Sequence, residues 1–504
     1  MALFVLLAWP VMALPLFSLM GVARGLIWSI LIGYLFLPEA FEINMPVLPA
    51  YEKSTAIALS ALLGVFLFRA REPEPPPLPA AGVGFGKLLT LLFVLLLLSP
   101  IGTVIGNPET LVTGDVRRPG LDMEDLPGIV FKLAEFFVPF VLAYWYLSRP
   151  EHHRELLVAV VAMGLVYTLM TLFEARMSPQ LHVWTYGYFQ HDWRQHIRGG
   201  AFRPIGFLRH GLWLGFFLCM AAISALVLSR YKGKKNPFYL IAAAWIIVVL
   251  VLSRNLGATA IAICMIPLVL LLGRRLQMQV AAGMAILFLS YPVLVSFDIS
   301  PGDAVASSVS ESAPARAQSL QFRLDNEHLL FDRAMEKPFF GWGPWSRSFV
   351  YTEAGYNLTV VDGVWIVVLS QRGWVGFVAF FGILILPILV LALRSRKVRP
   401  RPEIAGMALL MGANFIYIIP NSVINPIGLM VAGVLAGCAR RVEQSAQDDT
   451  ADDTADTPTP SDPALTTAYT RFPQTDRPRR PERQAKPAMA RSSRARVGAR
   501  YRET

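Results

Sequence analysis

Long apolar runs recur along this chain and are separated by short polar segments. Most of them, about thirteen in all, approach or reach the roughly 17–25 apolar residues that a membrane helix needs. We predict spans at 2–20, 24–37, 54–69, 88–105, 128–147, 155–173, 210–229, 238–253, 257–273, 277–296, 373–393, 404–420 and 424–439. The pattern predicts an all-α polytopic membrane protein with about 12–13 transmembrane helices.

Composition agrees with this class. Of 504 residues, 54% are hydrophobic and only 16% are charged, with a mean hydropathy of +0.48, whereas a soluble domain carries about 25% charged residues. The net charge of +11 fits cytoplasmic loops and anionic lipid, and no nucleic-acid-binding motif accompanies it. The three cysteines lie within apolar runs, so we predict no disulfide framework, no metal site and no other cofactor.

Lys and Arg in the short loops predict the orientation, because cytoplasmic loops carry an excess of both. Basic clusters at 230–235, 274–275 and 394–401 fall on one side of the predicted topology, which we assign to the cytoplasm. Two long loops, at 174–209 and 297–372, are left on the opposite face. The second loop is long enough to fold helices of its own.

Residues 1–440 form one predicted membrane domain, and residues 441–504 differ from it in kind. An Asp-rich stretch comes first in this tail, followed by Pro-rich and then Arg-rich sequence. Such a segment cannot bury a core, so we predict a disordered cytoplasmic tail.

Several arginines lie on the face where the orientation rule predicts few, namely Arg203, Arg209, Arg254 and Arg323. An arginine within a span costs about 2.5–3.5 kcal/mol on insertion scales, so it is retained where it pairs with something. Guanidinium groups suit phosphate oxygens, and we predict that these arginines bind a diphosphate. Snorkelling to lipid headgroups, or an ion pair with Glu174 or Asp362, is the alternative.

The segment around Arg203 indicates a helix start. Pro204 suits the first turn of a helix, which would place Arg203 at the positive amino end of a span. Arg209 and His210 would then lie one to two turns further in, with His210 on the same face as Arg203. Arg254 precedes another span, so two helix amino ends could converge at one membrane level.

The most patterned segment is 335–376. It begins MEKPFFGWGPWSRS and, after a polar spacer, continues DGVWIVVLSQRGWVG. A turn rich in glycine and aromatic residues thus precedes an apolar helix that starts at Asp362. This pattern predicts that the segment covers an active site. Trp342, Trp345 and Tyr351 are candidates for stacking on sugars, and interfacial anchoring explains them equally well.

Four segments carry a family resemblance. They are RPIGFLRHG at 203–211, Ser253-Arg254, EKPFFGWG at 336–343, and Asp362-Gly363 followed after nine residues by Gly373-Trp374-Val375-Gly376. In this order they resemble the Arg-x-x-Gly segment, the Ser-Arg pair, the Pro-x-x-Gly-x-Gly turn and the His-Asn-x9-Gly-x-x-Gly segment of one superfamily. Over roughly residues 170–440, the chain is therefore similar to the O-antigen ligases and Wzy-type polymerases.

The resemblance implies a metal-independent glycosyltransferase of the GT-C kind in the bacterial inner membrane, with its active site facing the periplasm. The donor would be an undecaprenyl-diphosphate-linked glycan, and the predicted arginines would hold its diphosphate. Asp362 stands where ligases have a histidine, which favours a polymerase of O-antigen or exopolysaccharide repeats. Asp362 and His210 are the candidate bases, with a helix N-cap the alternative for Asp362 and a structural hydrogen bond for His210.

Other functions stay open at the level of sequence. An O-antigen ligase or a protein O-oligosaccharyltransferase would use the same donor with a different acceptor. A lipid-linked glycan flippase would carry charge at mid-depth in several spans, whereas charge here gathers at span ends. A non-catalytic scaffold of an envelope assembly complex is a further alternative. Candidate partners are the glycan donor and acceptor, membrane lipids, and polysaccharide export or chain-length proteins.

Overall fold

The computed structural model describes residues 1–44, 49–71, 84–198, 200–230, 236–297, 314–344, 346–359 and 362–455. Within these ranges the chain is helical almost throughout, and seven helices are long and apolar enough to cross a membrane. Five shorter apolar helices accompany them. The chain is thus an all-α, multi-pass membrane protein, as its hydrophobic pattern predicts.

Sixteen helices occur in the described ranges, and all of the strands there are short. The helices are α1 (Ala2–Met12), α2 (Leu14–Met20), α3 (Val22–Phe36), α4 (Lys53–Phe68), α5 (Phe85–Ile105), α6 (Leu126–Tyr146), α7 (Pro150–Met177), α8 (Leu181–Tyr186), α9 (Gly211–Ser229), α10 (Pro237–Leu252), α11 (Leu256–Leu270), α12 (Arg274–Ser296), α13 (Pro314–Met335), α14 (Val364–Arg394), α15 (Pro402–Ile418) and α16 (Pro426–Ala455). Strand β1 (Leu111–Thr113) pairs antiparallel with β2 (Val116–Arg118), and β3 (Ile197–Arg198) with β4 (Ala201–Phe202).

Every predicted span coincides with a helix or, for 2–20, with the pair α1 and α2. The largest difference concerns the span predicted at 373–393, because α14 already begins at Val364 and has Gly363 as its N-cap. Gly373 within this helix has φ 62° and ψ −173°, so the helix is kinked there. The expectation that the helix starts at Asp362 is therefore wrong by two residues, and the predicted span covers only the part after the kink.

Helix α9 is the most enclosed of the long helices. Its residues from Leu214 to Ser229 are buried without interruption, and it packs against α7, α10, α11 and α15. A Cβ added to Gly164 of α7 would lie 2.4 Å from the Cβ of Ala221, so a small residue permits this close approach. A helix that is apolar on every side is stable only when enclosed, and the amino end of α9 is thereby held among its neighbours.

The basic loops gather at one end of the bundle. Arg230, Arg274 and Arg399, one from each of the three basic clusters, line a single cavity of about 660 Å³. The three loops therefore lie on one side, as the orientation argument requires.

The segments predicted as long loops contain structure of their own. Helix α8, a short 3-10 turn (Trp193–His196) and the pair β3–β4 lie within 174–209, and α13 lies within 297–372. Helix α16 continues into the predicted tail as far as Ala455. The remainder of that tail, 456–504, lies outside the described residues.

Candidate functional site

The segment before α9 is not helical, which corrects the prediction that Pro204 opens the helix. The buried Glu174 carboxylate accepts the backbone N–H groups of Ile205 at 2.8 Å and Gly206 at 2.7 Å. Gly206 has φ +59°, and the Gln190 amide donates to the carbonyl of the same residue at 2.9 Å. Side chains satisfy these backbone groups, so nothing drives them into a helix, and α9 begins only at Gly211.

Arg203 nevertheless reaches the amino end of α9 with its side chain. The residue is 2% exposed, and a Cβ added to Gly211 would lie 2.7 Å from its Nε atom. Gly211 is thus small enough to let the guanidinium stem lie against the first turn of the helix. The combination of a cation with the positive end of a helix dipole favours an anion at this position.

The segment that contains Arg254 meets α9 at the same end of the bundle. Arg254 itself is exposed and has φ +59°. The next residue, Asn255, caps α11 by accepting the N–H of Ala258, and its amide donates to the carbonyl of Gly211 at 3.2 Å and to the Tyr417 hydroxyl at 3.3 Å. Asn255 therefore joins the starts of α9 and α11 to the end of α15.

Asp362 pairs with Arg323 rather than capping α14. The Arg323 Nε atom lies 3.3 Å from a carboxylate oxygen of Asp362, and the two side chains are 27% and 29% exposed. The N-cap of α14 is Gly363, without a side-chain cap bond, so the N-cap interpretation of Asp362 is wrong. Burial raises the pKa of Asp362, and the Arg323 charge partly offsets that increase.

The end of α15 contacts both charged segments. Tyr417 near that end donates to the carbonyl of Leu212 at 2.9 Å, and Arg323 donates to the carbonyl of Pro420, just after α15, at 3.5 Å. The buried Tyr417 therefore joins the start of α9, against which Arg203 lies, to the segment that Arg323 contacts. Asp362 lies at the edge of this arrangement, where it can accept a proton.

Arg209 lies elsewhere. It is exposed and lines a separate cavity of about 230 Å³ together with Glu39, Lys53, Glu135 and Trp213. Within this cavity Lys53 and Glu39 form a buried ion pair at 2.9 Å. Because the segment 203–210 is not helical, the prediction that Arg209 and His210 lie one to two helical turns beyond Arg203, with His210 on the same helix face as Arg203, is wrong.

His210 is the N-cap of α9. Its Nδ1 atom accepts the N–H of Leu212 at 3.1 Å, which gives the ring the structural hydrogen bond that was the alternative to catalysis. Its ring centroid is 4.8 Å from that of His191 and 5.2 Å from that of His196. Burial lowers the pKa of His196 to about 4, with further lowering by His191 and Arg203.

The turn at 336–343 pairs with the kink of α14. The N–H groups of Trp342 and Gly343 donate to the carbonyls of Ser370 and Gln371 at 2.9 and 3.0 Å, and the N–H of Trp374 donates to the carbonyl of Pro338 at 2.7 Å. Gly341 and Gly373 both have positive φ, and a Cβ on Gly373 would lie 2.3 Å from the Phe339 carbonyl oxygen. Glycine is required here because two backbones touch.

Trp342 and Tyr351 are both engaged in contacts within the protein. Trp342 is 5% exposed, donates to the carbonyl of Arg333 at 2.7 Å and lies beneath the guanidinium of that residue. Arg118 covers the ring of Tyr351 at 3.5 Å from its centroid, and Trp345 lies outside the described residues. Trp342 is therefore a packing residue of the turn.

Some members of this site have no strong signal in the sequence. Asn255 and Tyr417 look like ordinary polar residues at the ends of apolar runs, and the sequence indicates Glu174 only as a possible ion-pair partner for arginine. His191 and His196 fall in a polar loop, where their proximity to His210 depends on how the chain folds back. No family model matches the chain, and no curated protein matches it either.

Proposed function

We propose that this protein polymerises undecaprenyl-diphosphate-linked oligosaccharide repeats, as an O-antigen or exopolysaccharide polymerase. The proposal is supported by the sequence resemblance and by one observation. Arg203 lies against the start of α9, and the Arg323–Asp362 ion pair lies beside the end of α15, which contacts that start through Tyr417. A phosphate-binding group and a proton acceptor lie together at one end of an apolar bundle. Transfer of a glycan from a lipid diphosphate requires these two groups.

The proposed topology follows from the two ends of the bundle. The end with Arg230, Arg274 and Arg399 is taken as cytoplasmic, with about thirteen helices crossing the membrane. The end with Arg203 and Asp362 then faces the periplasm of the bacterial inner membrane. Helix α13 and the turn at 336–343 belong to the larger periplasmic loop, and residues 441–504 form a cytoplasmic tail.

In the proposed reaction, Arg203 and Arg323 bind the donor diphosphate, and the exposed Arg254 contacts it from the surface of the protein. The acceptor hydroxyl attacks the anomeric carbon while the bond from that carbon to the diphosphate oxygen breaks. Undecaprenyl diphosphate leaves with the electron pair, and the hydroxyl proton passes to the Asp362 carboxylate. Burial raises the pKa of Asp362, which makes it a better base than an exposed aspartate.

A lipid-linked glycan flippase is the second candidate, and the distribution of charge argues against it. A flippase needs polar groups along a path across the membrane. Leu214 to Ser229 of α9 are instead buried in continuous apolar packing, and the arginines of the site lie beside the start of this helix. A ligase or a protein O-oligosaccharyltransferase would use the same site with another acceptor.

The test is chain extension by purified protein in lipid vesicles supplied with a lipid-linked single repeat. We expect wild type to form a ladder of longer products, Arg203→Ala to form none, and Asp362→Asn to be slower by about 10²–10⁴-fold. Arg194→Ala, in an exposed loop, is the control and should match wild type. Unchanged ladders from both Arg203→Ala and Arg254→Ala would contradict diphosphate binding.

The acceptor is identified in cells that lack the gene. Accumulation of single-repeat lipid-linked glycan indicates a polymerase, because chains then fail to grow. Accumulation of full-length lipid-linked chains indicates a ligase and would overturn the proposed choice of acceptor.

A further inference from the structure

Three of the seven histidines meet beside the start of α9. His191 and His196 lie in the loop after α8, and His210 directly precedes α9. One ligand atom from each side chain can be chosen so that all three lie within 4.8 Å of one another. The ring centroids of His191 and His196 are 5.4 Å apart, so the three rings surround one small volume.

His196 is the least satisfied of the three. It is fully buried, and neither of its ring nitrogens has a hydrogen-bond partner among the described residues. The Nδ1 atom of His191 is in the same situation. Buried polar atoms are nearly always paired, since an unpaired one loses its hydration without compensation. Lone pairs that face each other across a few ångströms are well placed for a shared cation.

We infer that His191, His196 and His210 bind one divalent transition-metal ion, with Zn²⁺ as the first choice. Imidazole nitrogen is a preferred zinc ligand, and three histidines leave the fourth tetrahedral position for water or another ligand. With Zn–N bonds of about 2.0–2.1 Å, the three nitrogens would lie about 3.3 Å apart. The ligand atoms, which lie within 4.8 Å of one another, would reach that spacing through rotation of the half-buried His191 and His210 side chains.

The surroundings both oppose and favour a cation. The Arg203 charge acts on His196 and opposes metal binding, whereas the Asp192 carboxylate acts in the opposite sense. His210 accepts the Leu212 N–H through Nδ1, and coordination through either ring nitrogen ends that bond. Metal binding thus exchanges one helix-cap hydrogen bond for a metal bond.

A bound metal would fix the position of Arg203. The N–H of Arg203 donates to the carbonyl of His196 at 2.8 Å, and His210 stands at the start of the helix against which the Arg203 side chain lies. Coordination would therefore join the loop, the arginine and the amino end of α9 into one unit. This inference does not depend on the proposed glycan transfer.

The experiment measures metal content and affinity in full-length protein purified with a tag that contains no histidine. The protein is stripped with a chelator, loaded with Zn²⁺ or Co²⁺, and washed by gel filtration. We expect about one zinc per chain, by elemental analysis, and the intense visible absorption of four-coordinate Co²⁺. His191→Ala and His210→Ala should weaken binding by about 100-fold or more, because even the loss of an outer-shell partner costs 10–100-fold.

His152→Ala and His328→Ala are the matched controls, since both remove a histidine outside the cluster. They should keep the zinc content and the Co²⁺ spectrum of wild type. The inference is overturned if stripped wild type takes up no zinc, or if His191→Ala and His210→Ala bind it as tightly as the controls. A monodisperse gel-filtration profile establishes that each variant is folded, and the Co²⁺ spectrum of wild type decides the matter without any variant.

Discussion

Two regions of this protein have similar sequence patterns but differ in the contacts that their polar groups make. The junction (203–211) contains one glycine with positive φ and the turn (336–343) contains two, and both segments lie against a membrane helix. In the turn, backbone groups pair with the kink of α14, and Arg333 covers Trp342. In the junction, a buried carboxylate satisfies the backbone, and a buried arginine lies against the start of α9.

The comparison shows that a patterned motif is not by itself a reactive one. The polar groups of the turn make contacts within the protein, so the turn acts as a scaffold that fixes the kink of α14. The junction places charge at a helix amino end, where it can act on a ligand. Four changes, taken in order of falling effect, test this division between scaffold and site, and a fifth change, at Asp362, tests the pH dependence of stability.

The largest effect is expected at the contact between the turn and the kink. Gly373→Ala would put a Cβ 2.3 Å from the Phe339 carbonyl at a φ of +62°. We expect a loss of about 3 kcal/mol or more in stability, from backbone strain together with overpacking. Thermal unfolding in detergent measures it.

Gly187→Ala is the matched control, because Gly187 has φ +88° with nothing within 4 Å of an added Cβ. Its loss of stability should come from backbone strain alone and amount to about 1–2 kcal/mol. Equal losses in the two variants would show that the turn and the kink are not held by their close contact.

The next effect is expected at the junction. Glu174→Gln leaves one carbonyl oxygen where the carboxylate accepts the N–H groups of Leu181, Ile205 and Gly206. We expect a loss of about 2 kcal/mol, together with lower activity because Arg203 shifts. Chain extension per folded molecule separates the two effects.

Glu151→Gln changes an exposed residue at the other end of α7 and should alter neither property. Full activity in Glu174→Gln would show that the backbone of the junction does not position Arg203.

A smaller effect is expected within the turn. Trp342→Phe removes the hydrogen bond from Nε1 to the Arg333 carbonyl and should cost about 1 kcal/mol. Activity per folded molecule should stay at the wild-type level, because Trp342 packs within the scaffold. A raised KM for glycan in a variant of normal stability would restore the sugar-stacking interpretation.

The smallest effect is a change in pH dependence, which is measured separately from the loss of activity expected when a diphosphate-binding arginine is replaced. Burial raises the pKa of Asp362, and Arg323 lowers it, so Arg323→Gln should raise that pKa further. A base with a higher pKa is protonated at higher pH, and the acid limb of the kcat/KM profile should therefore move upward. Arg194→Gln is the control, and an acid limb in the same position for Arg323→Gln and wild type would exclude Asp362 as the base.

The pH dependence of stability has a fixed sign for this group. A carboxyl whose pKa is raised on folding binds protons more tightly in the folded state than in the unfolded state. Its contribution is fully present below the unfolded pKa and is lost as the pH rises through the folded pKa. Asp362→Asn removes this contribution, so the thermal midpoint of the variant relative to that of wild type should increase as the pH rises from acidic to neutral.

The sequence alone determined where the helices lie, because burial of apolar runs in lipid outweighs local preference. Span ends agree within a few residues for most helices. Arg203 was predicted from charge on an unexpected face, and Asp362 from the pattern of the segment 335–376 and the family resemblance. The prediction of a helix was wrong at 203–210. There the Glu174 carboxylate, which is distant in sequence, accepts backbone N–H groups of the segment and holds it in a non-helical conformation.

Only the tertiary structure decided which residues meet. Asn255, Tyr417 and Arg323 come from separate helices, and their proximity depends on how α9, α11, α13 and α15 pack. The histidine cluster likewise depends on a loop that folds back onto the start of α9. Hydrophobic patterning acts along the chain and is visible in the sequence, whereas hydrogen bonds and ion pairs between distant segments depend on distances that only packing sets.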